Sequence, residues 1–91
     1  MAERREKLDI IKDILKAIQD KGGEIKPTHL LYKSNLSHEG MKKYVGDLIF
    51  KEMINEKTDK KSNKTFQITD KGLLFLANYK QIKEFTDSFG L

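Results

Sequence analysis

The chain of 91 residues contains no cysteine, no tryptophan and one proline, and its only arginines are Arg4 and Arg5. Without cysteine it can form neither disulfide bonds nor thiolate metal sites. Its apolar runs all fall short of the roughly 20 residues that a membrane-spanning helix needs, and the charged start MAERREK is unlike a secretory signal. We therefore expect a cytoplasmic protein.

The composition suits one small domain. Hydrophobic residues make up 37% of the chain and charged residues 35%, which is typical of a water-soluble globule of this length. We expect residues 1–69 to form the main body and residues 70–91 to form a final helix of the same compact domain.

The net charge of +4 comes entirely from the middle of the chain. Residues 1–25 hold six basic and six acidic side chains, and residues 66–91 hold three of each. Residues 26–65 hold nine lysines and five acidic residues. Charge placed in this way favours a surface that faces phosphate groups, although a charge run can also be only a solvated face.

The stretch from Thr28 to Met53 has the pattern of two helices joined by a short polar turn. Asn35 suits the turn because asparagine tolerates positive φ, and Ser37 can cap a second helix that runs to Met53. The apolar positions of that second helix recur at spacings of three and four and so share one face: Met41, Tyr44, Val45, Leu48 and Ile49. Its other face is polar and basic, which predicts a helix-turn-helix.

Two further helices are predicted, one at each end of the chain. The first runs from about Glu3 to Asp20 and is ended by Gly22 and Gly23, since glycine accepts the left-handed conformation of a helix stop. The last begins after Thr69, which can cap it, and continues to about Ser88.

A β-hairpin is predicted directly after the helix-turn-helix. Residues 54–58 and 65–68 read as paired strands, and the polar, lysine-rich loop from Asp59 to Lys64 joins them. The segment Glu24-Ile25-Lys26 is too short to be a strand alone but could add to the edge of this hairpin. A hairpin with a basic tip in this position predicts a wing that lies along a duplex backbone.

The last helix carries more apolar surface than one packed face can cover. Residues 73–77 are apolar on all sides, and Phe75, Tyr79, Ile82, Thr86 and Phe89 then follow at steps of four and three, as in a coiled-coil seam. We therefore expect a homodimer through this helix. The predicted interface residues are Phe75, Tyr79, Ile82, Phe85 and Phe89.

Three stretches of the sequence resemble the small archaeal winged helix-turn-helix DNA-binding proteins, whose members often pair through an antiparallel C-terminal coiled coil. These stretches are RREKLDIIKDILKAI, THLLYKSNLSHEGMKKYVGDL and ITDKGLLFLANYKQI. The resemblance implies a mainly α (α+β) fold in the order α-(β)-α-α-β-β-α. It also implies a transcription regulator or chromatin-associated protein that binds double-stranded DNA and is associated with the nucleoid.

In such proteins the second helix of the motif enters the major groove and the wing contacts the backbone. The resemblance implies that the DNA-contacting residues are Ser37, His38, Lys42, Lys43, Lys60, Lys61 and Lys64. Two departures stand out. Glu52-Met53 occupies the place where relatives commonly have glycine before the first wing strand, and the last helix is shorter than in members with a long coiled coil.

Other functions are less well supported by the residues. The two histidines, His29 and His38, have no carboxylates at metal-ligand spacing and no phosphate-binding glycine loop is present, so we expect no enzyme, no catalytic or metal-binding residues and no cofactor. Winged helices also serve as protein-docking modules, and this alternative stays open. RNA is less favoured because no aromatic residue projects from the wing to stack on a base.

Sequence-specific base reading is also weakly supported. Arginine, whose rigid fork reads guanine, is absent from residues 26–65, where all nine basic residues are lysines. We expect binding that is dominated by phosphate contacts and groove shape, with moderate or low sequence specificity.

Overall fold

The computed structural model describes residues 7–89. The elements are α1 (Lys7–Asp20), β1 (Glu24–Ile25), α2 (Pro27–Ser34), α3 (His38–Phe50), β2 (Ile54–Thr58), β3 (Lys64–Ile68) and α4 (Asp70–Ser88). The predicted element order and the mainly α fold class are confirmed. The predicted start of the first helix at Glu3 lies outside the described residues.

The three strands form one antiparallel sheet in the order β1-β3-β2. Ile25 of β1 and Glu56 of β2 both pair with Phe66 of β3, so the short β1 joins the free edge of the hairpin as expected. The side chain of Gln67 reinforces this edge by donating a 2.8 Å hydrogen bond to the carboxylate of Glu24. The hairpin is therefore tied to the chain that leads into α2.

The core lies between α1, the helix-turn-helix and the sheet. Ile14, Leu15 and Ile18 of α1 are fully buried, as their helical spacing requires. The other fully buried apolar side chains are Leu30, Leu48 and Ile54. Burial of these aliphatic groups removes apolar surface from water and fixes α2 and α3 against α1.

The turn between α2 and α3 has the predicted chemistry. Asn35 adopts the left-handed conformation with φ 55°, and the hydroxyl of Ser37 accepts a 3.0 Å hydrogen bond from the amide of Gly40. The buried hydroxyl of Ser34 donates to the carbonyl of Leu30 at 2.7 Å, so its polar group is satisfied within α2. These local bonds set α3 at a fixed angle to α2.

The predicted end of the second motif helix at Met53 is wrong, because α3 ends at Phe50. The amide of Glu52 donates to the carbonyl of Ile49, and the amide of Met53 donates to that of Leu48. This is the Schellman pattern, and it places Glu52 in the left-handed conformation at φ 64°. The sequence does not signal the stop because glutamate stands where glycine usually does.

The end of α1 provides a direct comparison. There the amide of Gly22 donates to the carbonyl of Gln19, that of Gly23 donates to Ile18, and Gly22 has φ 84°. The two helix ends share one hydrogen-bond pattern, but only α1 has the residue type that adopts it without strain.

The start of α4 is anchored to the turn after α3. The hydroxyl of Thr69 accepts a hydrogen bond from the amide of Gly72, as predicted for its cap, and donates one to the carbonyl of Glu52 at 2.7 Å. A Cβ at Gly72 would lie 2.6 Å from the carbonyl oxygen of Met53, so glycine is required for this close approach.

Candidate nucleic-acid interface

The outer face of α3 carries exposed basic side chains. Met41, Val45 and Leu48 turn into the core, and the opposite side of the helix presents Lys42 and Lys43 to solvent. Ser37 and His38, at its N-terminal end, are exposed as well. The structure therefore brings together the four residues of this helix end that the resemblance implies for DNA contact: Ser37, His38, Lys42 and Lys43.

Acidic residues on α3 are placed at its two ends. Glu39 lies in the first turn, where a negative charge is favourable beside the positive end of the helix dipole. Asp47 forms an ion pair with Lys51 at 3.2 Å. Between them, Lys42 and Lys43 dominate the charge of the exposed surface.

The wing tip is folded around the carboxylate of Asp59. This carboxylate accepts hydrogen bonds from the amides of Lys61 at 2.8 Å and Asn63 at 2.9 Å, and from the Asn63 side chain at 3.2 Å. Ser62 makes the tight turn possible with φ 65°. Because the carboxylate is used within the turn, Lys60 and Lys61 are displayed on a preorganised tip rather than on a loose loop.

These contacts also set the charge state of the tip. The backbone and side-chain hydrogen bonds from Asn63 hold the pKa of Asp59 below its ordinary value, with smaller contributions from the Lys61 amide and from the charge of Lys26. Lys26, the residue before α2, lies beside Thr65 of β3, where both line a shallow pocket. It is a basic residue next to the hairpin that the sequence pattern did not assign to this surface.

Lys64 differs from the other two wing lysines. The predicted loop extended to Lys64, but Lys64 is the first residue of β3, pairs with Thr58 and lies 3.5 Å from the carboxylate of Glu56. An open groove of about 620 Å³ separates this part of the hairpin from α3. Its floor includes Met41, Val45 and Phe66, and His38, Lys42 and Lys64 lie along its sides.

The residues predicted to form the dimer interface do not share one surface. Phe75 packs against the core, and the Tyr79 hydroxyl donates a hydrogen bond to Asp9 of α1 in the same chain. Lys83 also contacts Asp9, at 3.2 Å. Ile82 is half-buried, whereas Phe85 and Phe89 remain exposed with their ring centroids 4.7 Å apart.

The environment of Tyr79 holds α4 against α1. Burial, together with the hydrogen bond and negative charge of Asp9, raises the pKa of Tyr79 to about 12. The ammonium group of Lys12 lies 5.6 Å from the centre of the Tyr79 ring. The predicted coiled-coil positions thus serve, in part, to attach the helix to its own domain.

The exposed apolar side chains of α4 include two of the five predicted interface residues, Phe85 and Phe89, together with Leu74. Leu74, Phe85 and Phe89 are 63%, 59% and 67% exposed. Asn78 and Gln81 lie between them on the same side of the helix, at steps of four and three from Leu74. We refer to Leu74, Phe85 and Phe89 as the apolar strip.

The part of the chain that the structure describes holds neither a metal site nor a membrane span. Within residues 7–89, no group of three or more histidine or carboxylate side chains is placed to hold a metal ion. In the same range, no helix has both the length and the apolar composition of a bilayer-spanning segment.

A sequence profile described as winged helix-turn-helix matches residues 4–87. An uncharacterized protein of Methanocaldococcus jannaschii is 33% identical over 79 residues, which cover 87% of this chain and 34% of that protein. The chain thus spans about a third of the length of this relative.

Three solved structures share the fold at low sequence identity. Sso10a-2, a DNA-binding protein from Sulfolobus solfataricus, has a TM-score of 0.78 and 22% identity over 93% of this chain and 85% of that chain. F93 from STIV, a winged-helix DNA-binding protein, has a TM-score of 0.68 and 15% identity over 89% of this chain and 92% of that chain.

The third structure is BpsR of Bordetella bronchiseptica, whose DNA binding is regulated by 6-hydroxynicotinic acid. Its TM-score is 0.70, with 14% identity over 85% of this chain and 58% of that chain. At these identities the likeness concerns the fold. The match of the family profile to nearly the whole chain, together with the observed element order, confirms the resemblance, and this chain belongs to the winged helix-turn-helix family.

Proposed function

We propose that this protein binds double-stranded DNA, with α3 in the major groove and the wing on the sugar–phosphate backbone. The observation that carries the proposal is the shared exposure of lysines on two adjoining elements. Lys42 and Lys43 project from α3, and Lys60 and Lys61 project from the wing tip, while the flanking parts of the chain are electrically balanced.

The dimensions of α3 suit this role. A helix with its side chains is about 10–12 Å across and the major groove is about 12 Å wide, so α3, a helix of 13 residues, can enter the groove. Ser37 and His38, at its N-terminal end, would be among the residues that face base edges. Lysine ammonium groups on either side would bind phosphate oxygens and release condensed counterions.

The wing favours binding because its tip is already ordered. Hydrogen bonds to Asp59 hold the backbone that carries Lys60 and Lys61, so little backbone entropy is lost when these lysines meet phosphates. Lys26 extends the same basic surface. Lys64 contributes less in this proposal, since it is paired with Glu56.

We propose weak sequence preference, as expected of an architectural, nucleoid-associated protein or a regulator of broad specificity in the cytoplasm. The lysines of this surface recognise phosphate but lack the planar fork that selects guanine. Binding of one palindromic site more than about a thousandfold tighter than random duplex would contradict this part of the proposal.

We also propose that two copies pair through α4. The apolar strip exposes two aromatic rings and a leucine that contact no other element strongly, and surfaces of this kind usually mark an interface. Of the five predicted residues, Phe85 and Phe89 would be central, Ile82 peripheral, and Phe75 and Tyr79 would support the helix from within the chain. In an antiparallel arrangement Leu74 of one copy would face Phe89 of the other.

Fluorescence anisotropy with a short labelled random duplex tests the proposal. We expect binding at low salt that weakens steeply as salt is added, with a slope of log affinity against log salt near −5 if a dimer makes about six phosphate contacts. Absence of binding at low salt would overturn DNA binding and favour the protein-docking alternative.

A further inference from the structure

Two residues on the outer face of α3 are exposed, Phe50 and Gly46, and Gly46 also lines the groove between α3 and the hairpin. Phe50 is 86% exposed although it is a large aromatic residue in the last turn of the helix. Gly46 lies one turn before it and one turn after Lys42 and Lys43, so all four occupy the same outer face. Both residue types are unusual for an exposed helix surface.

Gly46 has no packing reason to be glycine. A Cβ at this position would meet nothing within 4 Å, and the backbone of α3 is regular there. Glycine inside a helix is less stable than alanine because it loses more conformational freedom on folding. The missing side chain leaves the helix backbone open to close approach by another molecule.

The surroundings of this flat position indicate what approaches it. Lys42 and Lys43 lie one turn before it and Phe50 one turn after it, while the neighbouring Asp47 is neutralised by its ion pair with Lys51. A basic border is what phosphates require, and the one large apolar group that every A·T pair displays in the major groove is the thymine methyl group. Phenylalanine is among the side chains that contact this methyl group.

We propose that Phe50 reads thymine methyl groups in the major groove and that Gly46 is the point of closest approach between α3 and the DNA. This inference rests on the proposed function, and it adds a preference for A·T-rich duplexes that does not depend on arginine. The interaction is apolar, so it contributes affinity without adding to the salt dependence.

The experiment compares two duplexes of identical A·T-rich sequence, one with thymine and one with uracil, which lacks only the methyl group. For the wild-type chain, we expect affinity to fall about fourfold for each methyl group that Phe50 can no longer touch. For Phe50→Ser, we expect equal affinity for both duplexes, at the level of wild type on the uracil duplex, with an unchanged salt slope. Tyr32→Ser removes a comparably exposed ring from α2 and is the matched control.

Gly46→Ala provides a second, independent readout. We expect its Tm to rise by about 4 °C because alanine is the better helix former, while its affinity for the thymine duplex falls severalfold. A structural role for Gly46 would instead lower the Tm. If Gly46→Ala binds the thymine duplex with unchanged affinity, the proposed close approach of DNA at Gly46 is overturned.

The outcomes separate this inference from the proposed function. If wild type binds neither duplex at low salt, DNA binding itself fails and the inference fails with it. If wild type binds both duplexes equally, or if Phe50→Ser keeps the wild-type preference, the inference alone is overturned. If Phe50→Ser binds both duplexes as tightly as wild type binds the thymine duplex, the ring is assigned to a protein partner. The inference is then overturned as well.

Discussion

Two surfaces of the molecule are exposed to solvent: the lysine-bearing surface formed by α3 and the wing, and the apolar strip of α4. Their side chains interact with water in opposite ways. The first displays ammonium groups on backbone segments that local hydrogen bonds hold in place. The second displays Leu74, Phe85 and Phe89, which gain nothing from water. One domain thus carries a basic surface and an apolar surface on different elements.

This difference indicates that the two surfaces have different partners. A charged surface is stable in solvent and binds in a salt-dependent way, so its partner can be transient. Exposure of an aromatic strip to water is unfavourable. A partner that covers it is therefore expected to remain bound, as a second copy of the chain would. Each surface can be altered without the other.

Charge reversal of the α3 lysines is expected to have the largest effect of the predicted variants, and this effect is on DNA binding. Lys42→Glu combined with Lys43→Glu should abolish DNA binding, lowering affinity by more than about a hundredfold, because two phosphate contacts become two repulsions in each copy. Anisotropy measures the loss, and circular dichroism should show an intact fold, since both side chains are exposed.

The matched control for charge is Lys71→Glu combined with Lys80→Glu. Both lysines are exposed on α4, and the change in net charge is the same. This control should keep DNA binding within a few fold of wild type at moderate salt. An equal loss in both double variants would show that net charge, rather than the α3 surface, governs binding.

The second effect concerns the apolar strip. Phe85→Ser combined with Phe89→Ser should weaken self-association by at least about a hundredfold, because burial of each aromatic side chain contributes about 2 kcal/mol. Sedimentation equilibrium measures the change, with Tyr32→Ser as the control. A wild-type chain that is monomeric at high concentration would refute the dimer.

The third prediction concerns the turn after α3, in which Glu52 has a positive φ. Glu52→Gly should stabilise the domain by about 1 kcal/mol, since glycine adopts the left-handed conformation at φ 64° without the steric cost that glutamate bears. Thermal unfolding should show a Tm higher by about 4 °C.

Gly22→Ala at the equivalent position of α1 should have the opposite effect and a similar size, since both helices end in the same hydrogen-bond pattern. If Glu52→Gly lowers stability, the side chain of Glu52 makes a favourable contribution that outweighs its backbone strain.

The smallest effect concerns the attachment of α4 to α1 at alkaline pH. Burial and the hydrogen bond to Asp9 raise the pKa of Tyr79 to about 12, so the folded state favours the neutral phenol. This stabilisation is complete below pH 10, the ordinary pKa of tyrosine, and is lost as pH rises from 10 towards 12.

Urea unfolding between about pH 8 and pH 12 tests this point. The difference in unfolding free energy between wild type and Tyr79→Phe should shrink as pH rises through this window, whereas Tyr32→Phe serves as the control. A constant difference would mean that the phenol is not held neutral by its surroundings.

The sequence predicted the features that depend on local patterns. The end of α1 at Gly22, the turn at Asn35 and the caps at Ser37 and Thr69 follow from residue type and side-chain chemistry, and all are confirmed. The end of α3 was mispredicted because Glu52 adopts a conformation that residue type does not signal.

The packing of Phe75 and Tyr79 against their own domain was not foreseen, for a different reason. Phe75 and Tyr79 have the right spacing, but helical spacing alone cannot tell whether a stripe faces the same chain or another one. Tertiary contacts with Asp9 decide this, and they become visible only when α1 and α4 are placed together. The position of Lys26 beside Thr65 of β3 was missed for the same reason, since the two are far apart in sequence.

The most direct test of the central claim is to titrate the ¹⁵N-labelled protein with a short random duplex and follow its amide resonances at low salt. The proposed account predicts that the largest shifts map to residues 37–50 of α3 and to the wing tip at residues 59–63, while the resonances of α4 change little. Shifts concentrated on the apolar strip, or no shifts at all, would contradict it.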